Sequence, residues 1–174
     1  MAVLERFEAK KQLRSKIFNL LTLGYKDRER IREADKLVRA AISKGFTGMQ
    51  AKIGFCIDLL SKSLNTEHLA DLQKISKQLD RLGAEIEHAE HGYAAHFGIV
   101  QVKKEQLKDF YGFDMRLLDD LAALDADAAK IMALLESSAD SAIAQSLSNL
   151  RKKLDDIEAK LKKRNDIVLQ IVGG

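Results

Sequence analysis

The feature that most constrains this chain is an apolar repeat that runs from Leu72 to Leu135. Its residues recur alternately every three and four positions, which places their side chains on one stripe of an α-helix and excludes the alternation of a strand. Only His96, Lys103 and Asp114 interrupt the stripe. The repeat predicts an all-α fold with coiled-coil-like packing. Its members are Leu72, Ile75, Leu79, Leu82, Ile86, Ala89, Tyr93, His96, Val100, Lys103, Leu107, Phe110, Asp114, Leu117, Leu121, Leu124, Ala128, Ile131 and Leu135.

A second repeat predicts a C-terminal amphipathic helix over residues 140–171. A polar segment, Ser137–Ser141, precedes it and supplies a capping residue. Arg164 is the one charged residue at a position of this repeat that is otherwise apolar. The other members are Ile143, Leu147, Leu150, Leu154, Ile157, Leu161, Val168 and Ile171.

The first third of the chain predicts a long helical hairpin over residues 2–64. Its turn is placed at Lys44–Gly48, because Gly45 suits the left-handed position after a helix and Thr47 suits the N-cap of the next one. A turn this short makes the two helices antiparallel neighbours. A kink near Gly24 is a further possibility within the first helix.

Residues 66–136 are predicted to form a long helical arm, and two arrangements of it stay open. Local rules interrupt it near Gly98 and Gly112, with Asp114 as the N-cap of a new helix. The unbroken spacing instead favours one helix about 105 Å long. At its start, Asn65–Glu67 is either a tight loop or an irregularity within a longer helix. Hairpin, arm and C-terminal helix together make a single domain of 174 residues.

Composition narrows the class of protein. Proline is absent, which favours long helices, and charged residues make up 32% of the chain. No apolar run approaches the ~20 residues of a transmembrane helix, so we expect a cytoplasmic protein, at most peripheral at a membrane. With 6% aromatic residues and no tryptophan, no nucleic-acid partner is expected. The single cysteine, Cys56, lies in an apolar run and is expected to be a buried, inert thiol.

The basic charge of the chain is concentrated at its beginning. Residues 1–52 contain thirteen Lys or Arg and six Asp or Glu. Near the start, Val3, Leu4 and Phe7 lie among basic residues, which indicates a basic amphipathic segment. This segment either contacts an anionic membrane or packs against a partner helix. The predicted membrane contacts are Arg6, Lys10, Lys11, Arg14 and Lys16.

The histidines suggest a metal site that the rest of the sequence does not complete. Glu85, His88 and His91 share one helical face, as the ligands of a transition metal would. A carboxylate-bridged di-iron bundle needs a Glu-x-x-His motif from each of two helices, and only Glu85–His88 provides one. We therefore expect surface histidines and no metal or cofactor. No phosphate-binding loop or catalytic motif is present, so an enzyme is not expected.

The same stretch resembles the histidine phosphotransfer domains. Those domains place glycines four and ten residues after the phosphoacceptor histidine, with small residues between them. This chain departs from the pattern at plus three, where His91 replaces the usual lysine. The resemblance implies His88 as a phosphoacceptor on a signalling bundle. The matching positions after His88 are Gly92, Ala94, Ala95 and Gly98.

The layout of residues 10–136 resembles the ESCRT-III superfamily of membrane-remodelling proteins. That family has a basic first helix, a tight turn and a very long second helix; the stretches that carry the resemblance here are Arg39–Gly45 and Gln50–Ile53. The resemblance implies staggered hairpins that polymerise on a membrane. Residues 140–174 depart from the family's acidic tail, with seven basic and five acidic residues, and no ATPase-binding motif is evident.

These observations together predict a non-enzymatic helical assembly or scaffold protein. We expect it to form homo-oligomers through its heptad faces and to contact an anionic membrane surface. The alternative is a histidine phosphotransfer or signalling bundle that uses His88.

Overall fold

The computed structural model describes residues 11–19, 28–62, 66–88, 104–137 and 140–173, and nearly all of these residues are helical. Helix α1 covers residues 11–19, α2 Arg28–Lys62, α3 Leu69–His88, α4 Lys104–Glu136 and α5 Asp140–Gly173. No β-strand occurs in these ranges. The all-α prediction is confirmed, and α5 is the C-terminal helix that the second repeat predicted.

Helix α2 runs without interruption through Lys44–Gly48, where the sequence predicted the turn of a hairpin. The apolar spacing explains this continuity, because Ile42, Phe46 and Met49 are each at most 1% exposed and lie on one face of the helix. The turn at this segment, and with it the hairpin over residues 2–64, is therefore wrong.

The residues that suggested this turn have other roles inside α2. A Cβ atom added to Gly45 or to Gly48 would lie 4.0 Å from an atom of α4, an ordinary van der Waals distance, so both glycines lie on the side of α2 that packs beside α4. Thr47 does not cap a helix; its hydroxyl donates a hydrogen bond of 3.1 Å to the carbonyl oxygen of Ser43, one turn earlier.

A hairpin does form, but between α2 and α3. Helix α2 ends at Lys62 and α3 begins at Leu69, so the boundary predicted at Asn65–Glu67 is a real change of direction. The amide of Leu69 donates to the carbonyl oxygen of Thr66 at 3.3 Å, and the amide of Leu72 donates to that of His68 at 3.1 Å. This α2–α3 hairpin is therefore a different one from the hairpin predicted over residues 2–64, whose turn was placed at Lys44–Gly48.

The arm over residues 66–136 folds back and is not one helix. A Cβ atom on Gly83 would lie 3.9 Å from Phe46, and one on Gly45 would lie 4.0 Å from the Cβ atom of Leu121. In one straight helix, Gly83 and Leu121 would be about 57 Å apart. Because both contact the same turn of α2, α3 and α4 lie beside it at the same height.

The start of α4 also differs from the prediction. Gly112 and Asp114 lie inside α4, which begins at Lys104, so the N-cap predicted at Asp114 is wrong. The Asp114 side chain is buried against another helix and does not cap its own. The break predicted at Gly98 falls outside the residues that the structure describes.

Helices α2 to α5 form a bundle in which neighbours are both parallel and antiparallel. The ion pairs Asp120–Lys160 and Asp127–Lys153 show that α4 and α5 are antiparallel, because the residue number of the partner on α5 falls as the residue number on α4 rises. The contacts of Gly45 and Gly48 on α4 show that α2 and α4 are parallel. The chain therefore runs up, down, up and down through α2, α3, α4 and α5.

The core consists of the apolar repeats read from the sequence. In the described part of the chain, every member of the Leu72–Leu135 stripe whose side chain is placed is buried. Leu121 is 4% exposed and Leu154 is fully buried, so the heptad faces pack within one chain. Cys56 is fully buried as expected, and burial raises the pKa of its thiol to about 11. None of the described helices combines the length and the hydropathy needed to cross a bilayer.

Candidate functional site

The most unusual feature of the interior is a buried arginine between two carboxylates. Arg164 on α5 has no exposed surface. Its Nη2 donates to Oδ1 of Asp35 on α2 at 2.6 Å and to Oδ2 of Asp114 on α4 at 3.2 Å, and its Nε donates to the other Asp114 oxygen at 2.8 Å. The pairing with Asp114 is thus bidentate, the strongest geometry for this pair. One side chain therefore connects three helices.

Two further side chains, Arg39 and Phe110, contact this arginine and its carboxylates. Arg39 lies one turn after Asp35 on α2, and its Nε donates to Oδ2 of Asp35 at 2.8 Å. The guanidinium carbon of Arg164 lies 4.9 Å from the ring centroid of Phe110, a cation–π distance. Two carboxylates thus face two guanidinium groups, and their formal charges cancel. We call Asp35, Arg39, Asp114 and Arg164 the ion network.

The charges in the network support one another's ionisation. Burial lowers the pKa of Arg164, but the carboxylates of Asp114 and Asp35 outweigh it and raise this pKa above its ordinary value. Burial raises the pKa of the Asp114 carboxyl, and Arg164 opposes that rise. Because desolvation of buried charges offsets much of their attraction, the network specifies one helix arrangement more than it adds net stability.

The sequence had marked two members of the network without pairing them. Asp114 was one of three polar interruptions of the first repeat and Arg164 the one charged member of the second, and the structure shows that they are each other's partners. The sequence contained a signal for this pair. An acidic and a basic residue at buried positions of two apolar repeats are expected to pair, because an unpaired buried charge is costly. Asp35 and Arg39 were not singled out, because a charged pair one turn apart is equally typical of an exposed helix face.

Outside this network, α4 is an acidic helix paired to basic residues from its neighbours. Asp119 lies 3.7 Å from Arg14 on α1, Asp120 lies 2.7 Å from Lys160 on α5, and Asp125 pairs with Lys52 on α2. Exposed pairs of this kind contribute at most about 1 kcal/mol each. Their common effect is to fix the register of α1, α2 and α5 along α4.

Helix α1 packs against α4 through its apolar edge. Ile17 is 1% exposed in the core, and the Tyr111 hydroxyl donates to the carbonyl oxygen of Arg14 at 3.1 Å. The ring of Phe18 lies 6.2 Å from that of Tyr111, tilted by 54°. The alternative given for this basic segment, packing against a partner helix, is therefore what its described part does.

The predicted membrane contacts divide between the described and undescribed parts of the chain. Lys11 and Lys16 are exposed, and the Arg14 side chain is 47% exposed beside Asp119. Residues 11–19 contain no acidic residue, so every charge on the outer face of α1 is positive. Arg6 and Lys10 lie outside the described residues.

The histidine stretch is only partly described. His88 is the last residue of α3, and its side chain, like His91 and His96, lies outside what the structure places. Glu85 is exposed and lies 3.9 Å from Arg81. Within the described ranges, no group of three potential metal ligands comes together. The phosphoacceptor role of His88 stays a prediction.

No family model, curated protein or solved structure matches this chain. The function must therefore be argued from the bundle and its surfaces alone.

Proposed function

We propose that this protein is a non-enzymatic helical assembly or scaffold protein, which acts by binding other macromolecules through its surface. The observation that carries the proposal is the burial of the ion network. Arg164, Asp35 and Asp114 are at most 5% exposed and are bound to one another. Groups so enclosed hold helices in register; they offer no charge to a substrate.

The outer face of α1 is the surface best suited to an anionic partner, and we propose an anionic membrane. Lys11, Arg14 and Lys16 project from the bundle, while Ile17 on the opposite edge is already buried. Contact would therefore be electrostatic, without insertion of the apolar edge. Each basic residue near such a membrane contributes about 1 kcal/mol, and salt screens the attraction.

The proposal includes polymerisation on a membrane, in the manner of the ESCRT-III superfamily, and only the sequence resemblance to that superfamily supports this part. The tight turn at Lys44–Gly48 and the single long helix over residues 66–136, which carried the resemblance, are replaced by a continuous α2 and a folded-back arm. The features that support the membrane contact are instead the charge and exposure of α1.

Co-sedimentation with vesicles tests the proposal. The variant Lys11→Glu/Lys16→Glu reverses two exposed charges on α1 and leaves the Arg14 contact with Asp119 in place. The matched control, Lys152→Glu/Lys163→Glu, makes the same net change at exposed sites on α5.

We expect the α1 variant to lose at least about 30-fold in affinity for anionic vesicles, as the loss of two such contacts implies. The α5 control should retain its affinity, and neutral vesicles should bind neither. Equal binding by the α1 variant and the unmodified protein would remove the membrane contact from the proposal.

A further inference from the structure

Phe55 on α2 is a large apolar side chain that is exposed on the surface of the bundle. It is 46% exposed, and among the described residues only Phe18 is a comparable case. Phe18 lies against Tyr111 on α4. Phe55 has no such ring partner among the described residues, and Gly54 beside it has nothing within 4 Å of an added Cβ atom.

Phe55 lies at the edge of a shallow apolar surface between α2 and α4. Gly48 and Lys52 contact Asp125, and the two helices are parallel. Seven residues after Gly48, Phe55 is therefore level with residues near Met132, between Ala129 and Ala133. We call this surface the α2–α4 face. Its other members, exposed or half-buried, are Gly48, Ala51 and Leu59 on α2 and Ala122, Ala126, Met132 and Ala133 on α4.

The charges around this face are complementary from one helix to the other. On α2, Asp58 and Lys62 are exposed; on α4, Lys130 and Glu136 are exposed. None of the four forms an ion pair with another residue that the structure describes. By the same parallel register, Lys62 lies within one turn of the height of Glu136.

We propose that the α2–α4 face binds the same face of a second copy, around a two-fold axis parallel to the bundle. Such an axis keeps every residue at its own height and places α2 of one protomer over α4 of its partner. Phe55 then enters the alanine-lined surface between Ala129 and Ala133, and Lys62 approaches Glu136 of the partner subunit. This inference deepens the proposed assembly function, because it names the partner and the surface.

We choose a second copy of the chain as the partner because the α2–α4 face is complementary to itself. The surface carries both a protruding aromatic residue and a row of small residues that can receive one, and Lys62 and Glu136 place opposite charges at similar heights on its two helices. Buried aromatic anchors in such interfaces usually dominate affinity. The heptad faces, through which self-association was first predicted, are unavailable because they pack within the chain.

Light scattering coupled to size exclusion, with the full chain over a range of concentrations, gives the first test. The expected mass is twice the 19.5 kDa of one chain. Phe55→Asp should weaken the dimer by about 30-fold or more with unchanged helicity, since the residue is exposed. Ala159→Asp, which adds the same charge at an exposed site on α5, should have no effect.

Charge exchange tests the orientation of the two copies. Lys62→Glu and Glu136→Lys should each weaken the dimer, and the double variant should restore it, because each copy then again offers both signs. Failure of the double variant to restore association would overturn the parallel two-fold arrangement. A protein that is monomeric at every concentration would overturn the inference as a whole, whereas vesicle binding through α1 would be unaffected.

Discussion

Replacement of Arg164 by methionine is the change that acts most directly on the ion network. Methionine retains much of the side-chain volume and removes the guanidinium group. Asp35 would keep Arg39, 2.8 Å away, but Asp114 would lose both of its hydrogen bonds to Arg164 while remaining about 2% exposed. An uncompensated buried charge of this kind costs about 3–5 kcal/mol.

The pH dependence of the variant follows from the same geometry. Burial already raises the pKa of Asp114, and Arg164 is the group that opposes the rise. Without Arg164 the folded-state pKa rises further above the unfolded value, so the folded state binds a proton more tightly. The variant should therefore regain stability as the pH falls from 7 towards 5, the reverse of ordinary acid destabilisation.

Urea denaturation followed by circular dichroism at several pH values measures both effects. The double variant Asp114→Leu/Arg164→Met is the control, because replacement of a buried ion pair by apolar residues is often neutral or stabilising. We expect it to recover most of the loss at pH 7. A cost below about 1 kcal/mol for Arg164→Met alone would refute the buried network.

Four other substitutions have expected outcomes. Gly54→Ala should stabilise the protein by about 0.5–1 kcal/mol in thermal or urea unfolding, since nothing lies within 4 Å of an added Cβ atom and alanine favours the helix; destabilisation would contradict that open space. Hydrogen bonds from Arg81 and then Gln78 lower the pKa of Glu158 to about 2, so its contribution to stability is present above about pH 4.5 and is lost as the pH falls towards 2; Glu158→Gln should flatten the stability profile in that window, and an unchanged slope would count against the contacts. Leu154→Asp places a charge at a fully buried position and should cost several kcal/mol, and unchanged stability would show that the C-terminal repeat does not face the core. His88→Ala should abolish acid-labile phosphate if a phosphorylated receiver transfers to this chain, and absence of labelling in the unmodified protein would remove the phosphotransfer alternative.

The burial pattern was predictable from the sequence because spacing alone determines which side of a helix is apolar. The described members of the stripe from Leu72 onward, those of the C-terminal repeat from Ile143 to Leu161 and the fully buried Cys56 all lie where periodicity placed them. Periodicity does not distinguish one long helix from two that lie side by side, because both keep the same stripe. The fold-back between α3 and α4 therefore depended on tertiary packing, which the sequence pattern does not encode.

Local rules failed where tertiary contacts outweighed them. Gly45 and Thr47 have the residue types of a turn, yet burial of the adjoining apolar face keeps α2 continuous. Asp114 has the residue type of an N-cap, but its partner is a buried arginine fifty residues away. Of the candidate site, Asp114 and Arg164 could be predicted as exceptions to their repeats, while Asp35 and Arg39 could not be distinguished from surface charges.

The central claim, that the apolar repeats pack within a single folded-back chain, is tested most directly by one distance. Spin labels at the exposed positions Ala84 and Ala122, in a Cys56→Ala background diluted with unlabelled protein, report on α3 and α4 beside the same turn of α2. The bundle predicts a separation below about 30 Å, from helix spacings of about 8–10 Å plus the labels. A separation near 57 Å, the length of the intervening chain as one continuous helix, would contradict the account.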